Sequence, residues 1–208
     1  MHDLPDHLRR PVGVNWVGPG AHVIHYPLRG NELMNFVGIV ERDDWQVESW
    51  NEKGSYEECH RDFQGWHDDV QIMIERLETP FKWALMGREP LPHWSKGQVT
   101  LLGDASHPTL PFLAQGAAMA IEDGYMLARC VTQFPQDIQY AFKRYEQLRI
   151  ERTSTIVQRS TDNGRRFHNP ALADASGAEG YVNKEWSPVQ VHQRYDWLFR
   201  YAVDEIPV

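Results

Sequence analysis

The spacing of apolar positions changes several times along this chain, and each change predicts an element. Residues 1–20 carry Pro5, Pro11, Gly13, Gly18 and Pro19, which break any early helix. Across residues 21–50, three runs rich in Val, Ile, Tyr, Phe and Trp are separated by turn signals at Arg29-Gly30-Asn31 and Asp43-Asp44, predicting an antiparallel meander. Ser55 and Glu58 fit a capping box. Beyond them Cys59, Phe63, Trp66, Val70, Met73 and Leu77 recur at steps of four and three, as on an amphipathic helical segment broken at Gly65. A short strand, FKWALM, follows Pro80. The run Gln98–Leu102 predicts a strand buried on both faces that ends at Gly103-Asp104. On the next helix Ala117, Ala120, Ile121, Gly124, Ala128 and Val131 share one face, and most are small, so a backbone or a flat ligand can come close. Pro135 suits a first helical turn, and Ile138, Ala141, Phe142, Tyr145, Leu148 and Ile156 mark a long amphipathic helix ending near Asn163-Gly164. Residues 169–182, rich in Ala, Gly, Ser and Asp, predict a mobile loop. An aromatic helix around Tyr195, Trp197, Leu198 and Phe199 closes the chain.

Composition narrows the class. The 208 residues suffice for one large domain or two modest ones. Hydrophobic residues make up 41% and charged residues 24%, and no apolar run is long enough to cross a bilayer, so a soluble globular chain with no membrane partner is expected. Lys and Arg number 21 against 29 Asp and Glu, a net charge of -8, and no basic stripe is present to hold a phosphate backbone; nucleic acid is not an expected partner. Cys59 and Cys130 are too few for a disulfide framework, and the amino terminus lacks a secretory pattern, so a cytoplasmic location is expected.

Two stretches carry candidate chemistry. A carboxylate just past a buried strand, with Gly before it, can accept hydrogen bonds from sugar-like hydroxyls, and Asp104 has that placement; it could equally be a helix cap or turn residue. The loop 108–115 then leads to Gly116-Ala117-Ala118, where free N–H groups at a helix start favour an electron-rich group. In the second stretch, HVIHYPLRG, His22 and His25 point to opposite faces of a strand, because three residues separate them and the side-chain period is two. A histidine titrating near neutrality can serve as a base, and it can also be purely structural. Arg29 could pair with a carboxylate or simply be an exposed turn residue, and His107 is expected to fix the loop by hydrogen bonds. His60 and His67 with Cys59, Asp68 and Asp69 lack the tight spacing of zinc sites, so no metal is expected. There is no G-x-S-x-G elbow and no P-loop.

The string GDASHPTLPFLAQGAAMAIEDG resembles the second flavin motif of the FAD-dependent aromatic hydroxylases, in detail the salicylate hydroxylase and 3-hydroxybenzoate 6-hydroxylase branch; WVGPGAHVIHYPLRG, FVGIVER, GWH, KWAL, PLPHW and YEQLRIERT are similar to the same branch. The resemblance implies Asp104 on the ribityl hydroxyls of FAD, Gly116, Ala117 and Ala118 at the flavin ring, Pro111 in the loop between flavin and substrate, and His25 as the catalytic histidine at the substrate hydroxyl. The G-x-G-x-x-G strand and helix that open this family are not found, since Gly18-Pro19-Gly20 lacks the third glycine. The implied fold is therefore α/β (α+β): a mostly antiparallel substrate-domain sheet plus the C-terminal part of an FAD-binding monooxygenase fold, the N-terminal Rossmann half being absent. Three sections are expected: a substrate-binding sheet and helix region over 1–95, the second FAD motif and helices over 96–168, and the loop and terminal helix over 169–208. The implied activity is FAD- and NAD(P)H-dependent hydroxylation of a small phenolic or heteroaromatic acid. The alternative is an inactive fragment or binding module that self-associates or needs a partner supplying the missing N-terminal half, through an apolar face left open at the meander and the strand before Gly103.

Overall fold

The computed structural model describes residues 3–43 and 52–208, which form two compact units: residues 1–84 with 167–181, and residues 85–166 with 182–208. In the first unit, β1 (Val14–Gly18), β2 (Ala21–Leu28) and β3 (Leu33–Val40) form an antiparallel sheet in the order β1-β2-β3. The Arg29-Gly30-Asn31 turn lies between β2 and β3, with all three residues at positive φ. A one-turn 3₁₀ segment at Asp6–Arg9, which buries Leu8, and the strand β1 occupy the stretch in which Pro and Gly were expected to break any early helix. Neighbouring strands supplied the pairing that the local signal lacked. The third run expected in the meander, residues 45–50, lies outside the described residues.

A two-stranded ladder joins β4 (Glu52–Lys53) to β5 (Phe81–Lys82), so FKWALM is paired only over its first two residues. Between them lie α1 (Tyr56–Asp62) and α2 (Asp68–Ile74). Ser55 and Glu58 make the reciprocal capping box, and the chain breaks between the helices at Gly65, whose φ is +79°. The alternating steps of four and three place Phe63, Val70 and Met73 in a core with Ala21 and Val23, and Ile74 beside Met73 joins it. A Cβ at Gly38 would lie 2.6 Å from the Phe63 ring, so this position must be glycine for that ring to lie on the sheet.

The second unit opens with the hairpin β6 (Ser95–Lys96) and β7 (Val99–Thr100). The carboxylate of Glu146 accepts the N–H groups of Trp94 and Ser95, both at 2.8 Å, which anchors the hairpin's start. The expected strand buried on both faces is corrected here: pairing stops at Thr100, Val99 is 66% exposed and Leu102 is also exposed. No described strand covers them.

Two long helices follow, α3 (Gly116–Gln133) and α4 (Ile138–Phe167). The buried face of α3 is Met119, Asp123, Met126 and Cys130, whereas Ala117, Ile121 and Ala128 on the small-residue face are exposed. Met126 and Cys130 pack with Ala141, Tyr145 and Trp94. The helix α4 does not end at Asn163-Gly164, because a Cβ on Gly164 would lie 2.6 Å from the Phe112 ring: this glycine makes room for a side chain and does not stop the helix. Residues 169–182 are not a loop. They hold a 3₁₀ turn at Pro170–Ala173 and most of α5 (Ala175–Glu185), started by Asp174, whose carboxylate accepts the Gly177 N–H at 2.9 Å. The last helix, α6 (Pro188–Phe199), contributes Leu198 to a cluster with Met119 and Ile156. All strand pairs among the described residues are antiparallel, giving the mixed helix and sheet class. No helix among them is long and apolar enough to cross a membrane.

Candidate functional site

A cleft of about 560 Å³ in the second unit is lined by Leu102, Gly103, Asp104, Thr109, Pro111, Ala114, Gly116, Ala117 and Ala120. Four of the five residues expected at the flavin and its loop thus share one wall; Ala118, in the same helical turn, does not line it. The cleft has two distinct polar features. Asp104 is exposed at its edge. The 18-residue helix α3 starts there without a side-chain cap, and its first intrahelical bond runs from Met119 N–H to Gln115 C=O, so the N–H groups of Gly116, Ala117 and Ala118 precede the helix's own bonding ladder. Five of the nine lining residues are Gly or Ala: Gly103, Ala114, Gly116, Ala117 and Ala120.

The backbone there is held by its environment. Gly103 has φ +59°, and a Cβ on it would lie 3.1 Å from that of Ala120. Ala114, in the left-handed region at φ 53°, ends the 3₁₀ turn Pro111–Leu113. Such a conformation costs about 1–2 kcal/mol without glycine, and it is maintained by α4, where Asn163 Nδ2 donates to Phe112 C=O at 2.8 Å and Ser160 Oγ to Leu110 C=O at 2.5 Å.

Sequence reasoning missed the group that fixes Asp104. Asp123 is fully buried on α3; one carboxylate oxygen accepts the Gly103 N–H at 3.1 Å and His107 Nε2–H at 2.5 Å, and the other accepts Arg149 Nε–H at 2.7 Å. Arg149, itself fully buried, reaches Glu122 at 2.6 Å and the Tyr201 hydroxyl at 2.9 Å. Burial opposes ionisation of Asp123, but the hydrogen bonds from His107 and Arg149 and the Arg149 charge together outweigh it and hold the carboxyl below its ordinary value. His107 is therefore a loop anchor, and the peptide preceding Asp104 is tied to the helix that supplies the free N–H groups. An acidic residue at a helical step from Met119 and Met126 was the available signal.

His25 belongs to the first unit, on the face of β2 that carries Val23, while His22 occupies the other face with Phe167 and His168. His22 Nδ1 lies 2.6 Å from His168 Nε2, and His168 Nδ1 lies 2.7 Å from Glu41 Oε1. Burial, and then the neighbouring His168, push His22 down to about 3. His25 is 1% exposed, and Trp16 Nε1–H donates to its Nδ1 at 3.0 Å. Burial lowers its pKa against the opposing pull of Asp69. Arg29 is an exposed turn residue. No group of three His, Cys, Asp or Glu among the described residues is placed to hold a metal ion; His67 Nδ1 instead accepts the Asp69 N–H.

Comparison with known proteins bears on this site. The family model described as FAD binding domain matches residues 12–160. The 3-hydroxybenzoate 6-hydroxylase of Polaromonas naphthalenivorans (strain CJ2) is 39% identical over 206 residues, covering 97% of this chain and 50% of that protein. The 6-hydroxynicotinate 3-monooxygenase of Pseudomonas fluorescens is 41% identical over 152 residues, covering 72% and 40%. Among solved structures, a salicylate hydroxylase substrate complex superposes with a TM-score of 0.80 at 23% identity over 98% of this chain and 50% of that one. Klebsiella pneumoniae HpxO complexed with FAD and uric acid gives 0.70 at 25% identity over 87% and 46%. The chain spans about half the length of the curated relatives it matches. With a matched region that runs from the meander through the Asp104 cleft and into α4, this chain belongs to the FAD binding domain family.

Proposed function

We propose that this chain carries the flavin-ring and substrate portion of an FAD- and NAD(P)H-dependent monooxygenase that hydroxylates a phenolic or heteroaromatic acid, such as salicylate or a hydroxybenzoate. The observation that carries the reading is the shared wall of Asp104, Pro111, Gly116 and Ala117 facing a cleft with free helix N–H groups. These residues fit the cofactor: an exposed carboxylate suits ribityl hydroxyls, and the uncapped turn suits the electron-rich pyrimidine edge of the ring. FAD, reduced by NAD(P)H, would supply the oxygen-activating chemistry. The chain's own part is positional. Asp104 holds the ribityl chain, Gly116, Ala117 and Ala118 present N–H donors, Pro111 shapes the loop, and His25 contacts the substrate's ring oxygen.

The test is a titration of the purified chain with FAD, followed by visible absorbance. The expected result is a perturbed flavin band. In Asp104→Ala the dissociation constant should rise about tenfold or more, as for loss of a hydrogen bond to a charged group. Equal FAD affinity in the two proteins would sink the assignment of Asp104.

A second reading is favoured by one observation: Val99 is 66% and Ile121 74% exposed. Exposed apolar side chains of this kind suit a binding module covered by a partner or by self-association. A monodisperse monomer in light scattering would count against self-association.

A further inference from the structure

Trp16 and His25 are diagonal neighbours on β1 and β2. The register pairs Trp16 with Val23 and Val14 with His25, so the two side chains share one face of the sheet. The indole Nε1 is 3.0 Å from His25 Nδ1. An indole N–H can only donate, so Nδ1 must offer its lone pair. In the neutral ring the remaining proton is then on Nε2. A doubly protonated ring would set two N–H groups against each other, and burial already disfavours the charge. The titratable groups around this pair are Asp69 on α2, which His7 Nε2 meets at 2.8 Å, and His67, whose ring lies 5.0 Å from that of Trp16. Neither Asp69 nor His67 bonds His25, and among the described residues no hydrogen bond reaches Nε2.

We propose that Trp16 is a positioning residue that holds His25 as its Nε2–H tautomer, so that this histidine offers a donor, and not a basic lone pair, to the oxygen of an anionic aromatic ligand. The tautomer stands on the geometry alone; the ligand rests on the function proposed above. A donor held in place rewards an ionised ring oxygen over a neutral hydroxyl, because a charge-assisted hydrogen bond is about twice as strong. No proton moves to His25. The ligand enters as its oxyanion, its hydroxyl proton having gone to solvent before binding.

The test is ring-nitrogen NMR of the full chain labelled with ¹⁵N-histidine at neutral pH, with the His25 signals identified by their loss in His25→Gln. The expected spectrum has Nε2 protonated and Nδ1 bare. Trp16→Phe, which keeps a ring but removes the donor, should bring both tautomers into exchange and raise the His25 pKa by about 0.5–1 unit, the equivalent of one neutral hydrogen bond. A proton on Nδ1, a doubly protonated ring at neutral pH, or a Trp16→Phe spectrum identical to wild type would overturn the proposal. Should Trp16→Phe not fold, the wild-type spectrum still decides between the tautomers. Addition of FAD and 3-hydroxybenzoate to the same sample bears on the functional reading only: no response at His25 would count against that reading and leave the tautomer assigned.

Discussion

Replacing Asp123 by Asn keeps the volume of the side chain and removes its charge where three donors converge. Gly103 N–H, His107 Nε2–H and Arg149 Nε–H all point at the carboxylate. An amide can face only some of them with its oxygen, and its NH₂ group then opposes the rest. Arg149, with no solvent exposure, would retain Glu122 at 2.6 Å and the Tyr201 hydroxyl at 2.9 Å. Breaking a buried ion pair by removing one partner costs about 3–5 kcal/mol, and the surviving Glu122 contact argues for the lower end, about 3 kcal/mol. That is an opening equilibrium raised roughly 10²-fold. Hydrogen exchange of the most protected amides in α3 and α4 at neutral pH should accelerate by that factor. A loss below about 1 kcal/mol would refute the view that Asp123 neutralises Arg149 and anchors the Asp104 loop. The pH dependence has a definite sign. Because the folded-state pKa is depressed, the stabilisation is present above the ordinary carboxylate range, near 3.9, and is lost as pH falls through the lower folded value.

Gly103→Ala should cost about 1–2 kcal/mol, since the residue has φ +59° and the new methyl would press on Ala120; unchanged urea stability would contradict this. Two other glycines should respond with opposite signs although both lie inside helices. Gly124→Ala meets nothing within 4 Å and should gain about 0.5–1 kcal/mol from helix propensity, whereas Gly164→Ala should lose about 1–3 kcal/mol by displacing the Phe112 ring; equal effects in thermal unfolding would show that the ring yields freely. His22, held down to about 3 by burial and then by His168, is protonated more readily in the unfolded chain, so stability should be full above about 6.5 and fall towards pH 3 by up to about 1.4 kcal/mol per pH unit. His22→Gln should flatten that slope in urea titrations between pH 6 and 4; an unaltered slope would assign it to other groups.

Local rules sufficed where a residue's own neighbours in the chain decide the outcome. The Ser55 and Glu58 capping box, the break at Gly65, the turn at Arg29-Gly30-Asn31 and the opposite facing of His22 and His25 all follow from backbone preference and side-chain period, and the structure has each of them. So does the start of α3 at Gly116, after a loop too rich in Pro to be helical. Other features depended on partners far along the sequence. Gly164 reads as a stop because glycine is a poor helix former, yet Phe112 makes it a packing position. Residues 175–185 are weak helix formers, and the helix there is started by Asp174 and tied at Glu185 to Arg166 and Arg194.

The sequence by itself therefore determined the mixed class, most of the elements and the stretch that carries Asp104, because hydrophobic period, caps and turn residues act within a few residues of chain. Only the tertiary structure decided that Asp123 and Arg149 hold the Asp104 loop, that Ala117, Ile121 and Ala128 of the small-residue face of α3 are exposed, and that Trp16 occupies Nδ1 of His25. These outcomes come from hydrogen bonds and packing between positions far apart in sequence or on different elements, and local periodicity carries no record of which buried donor will meet which acceptor.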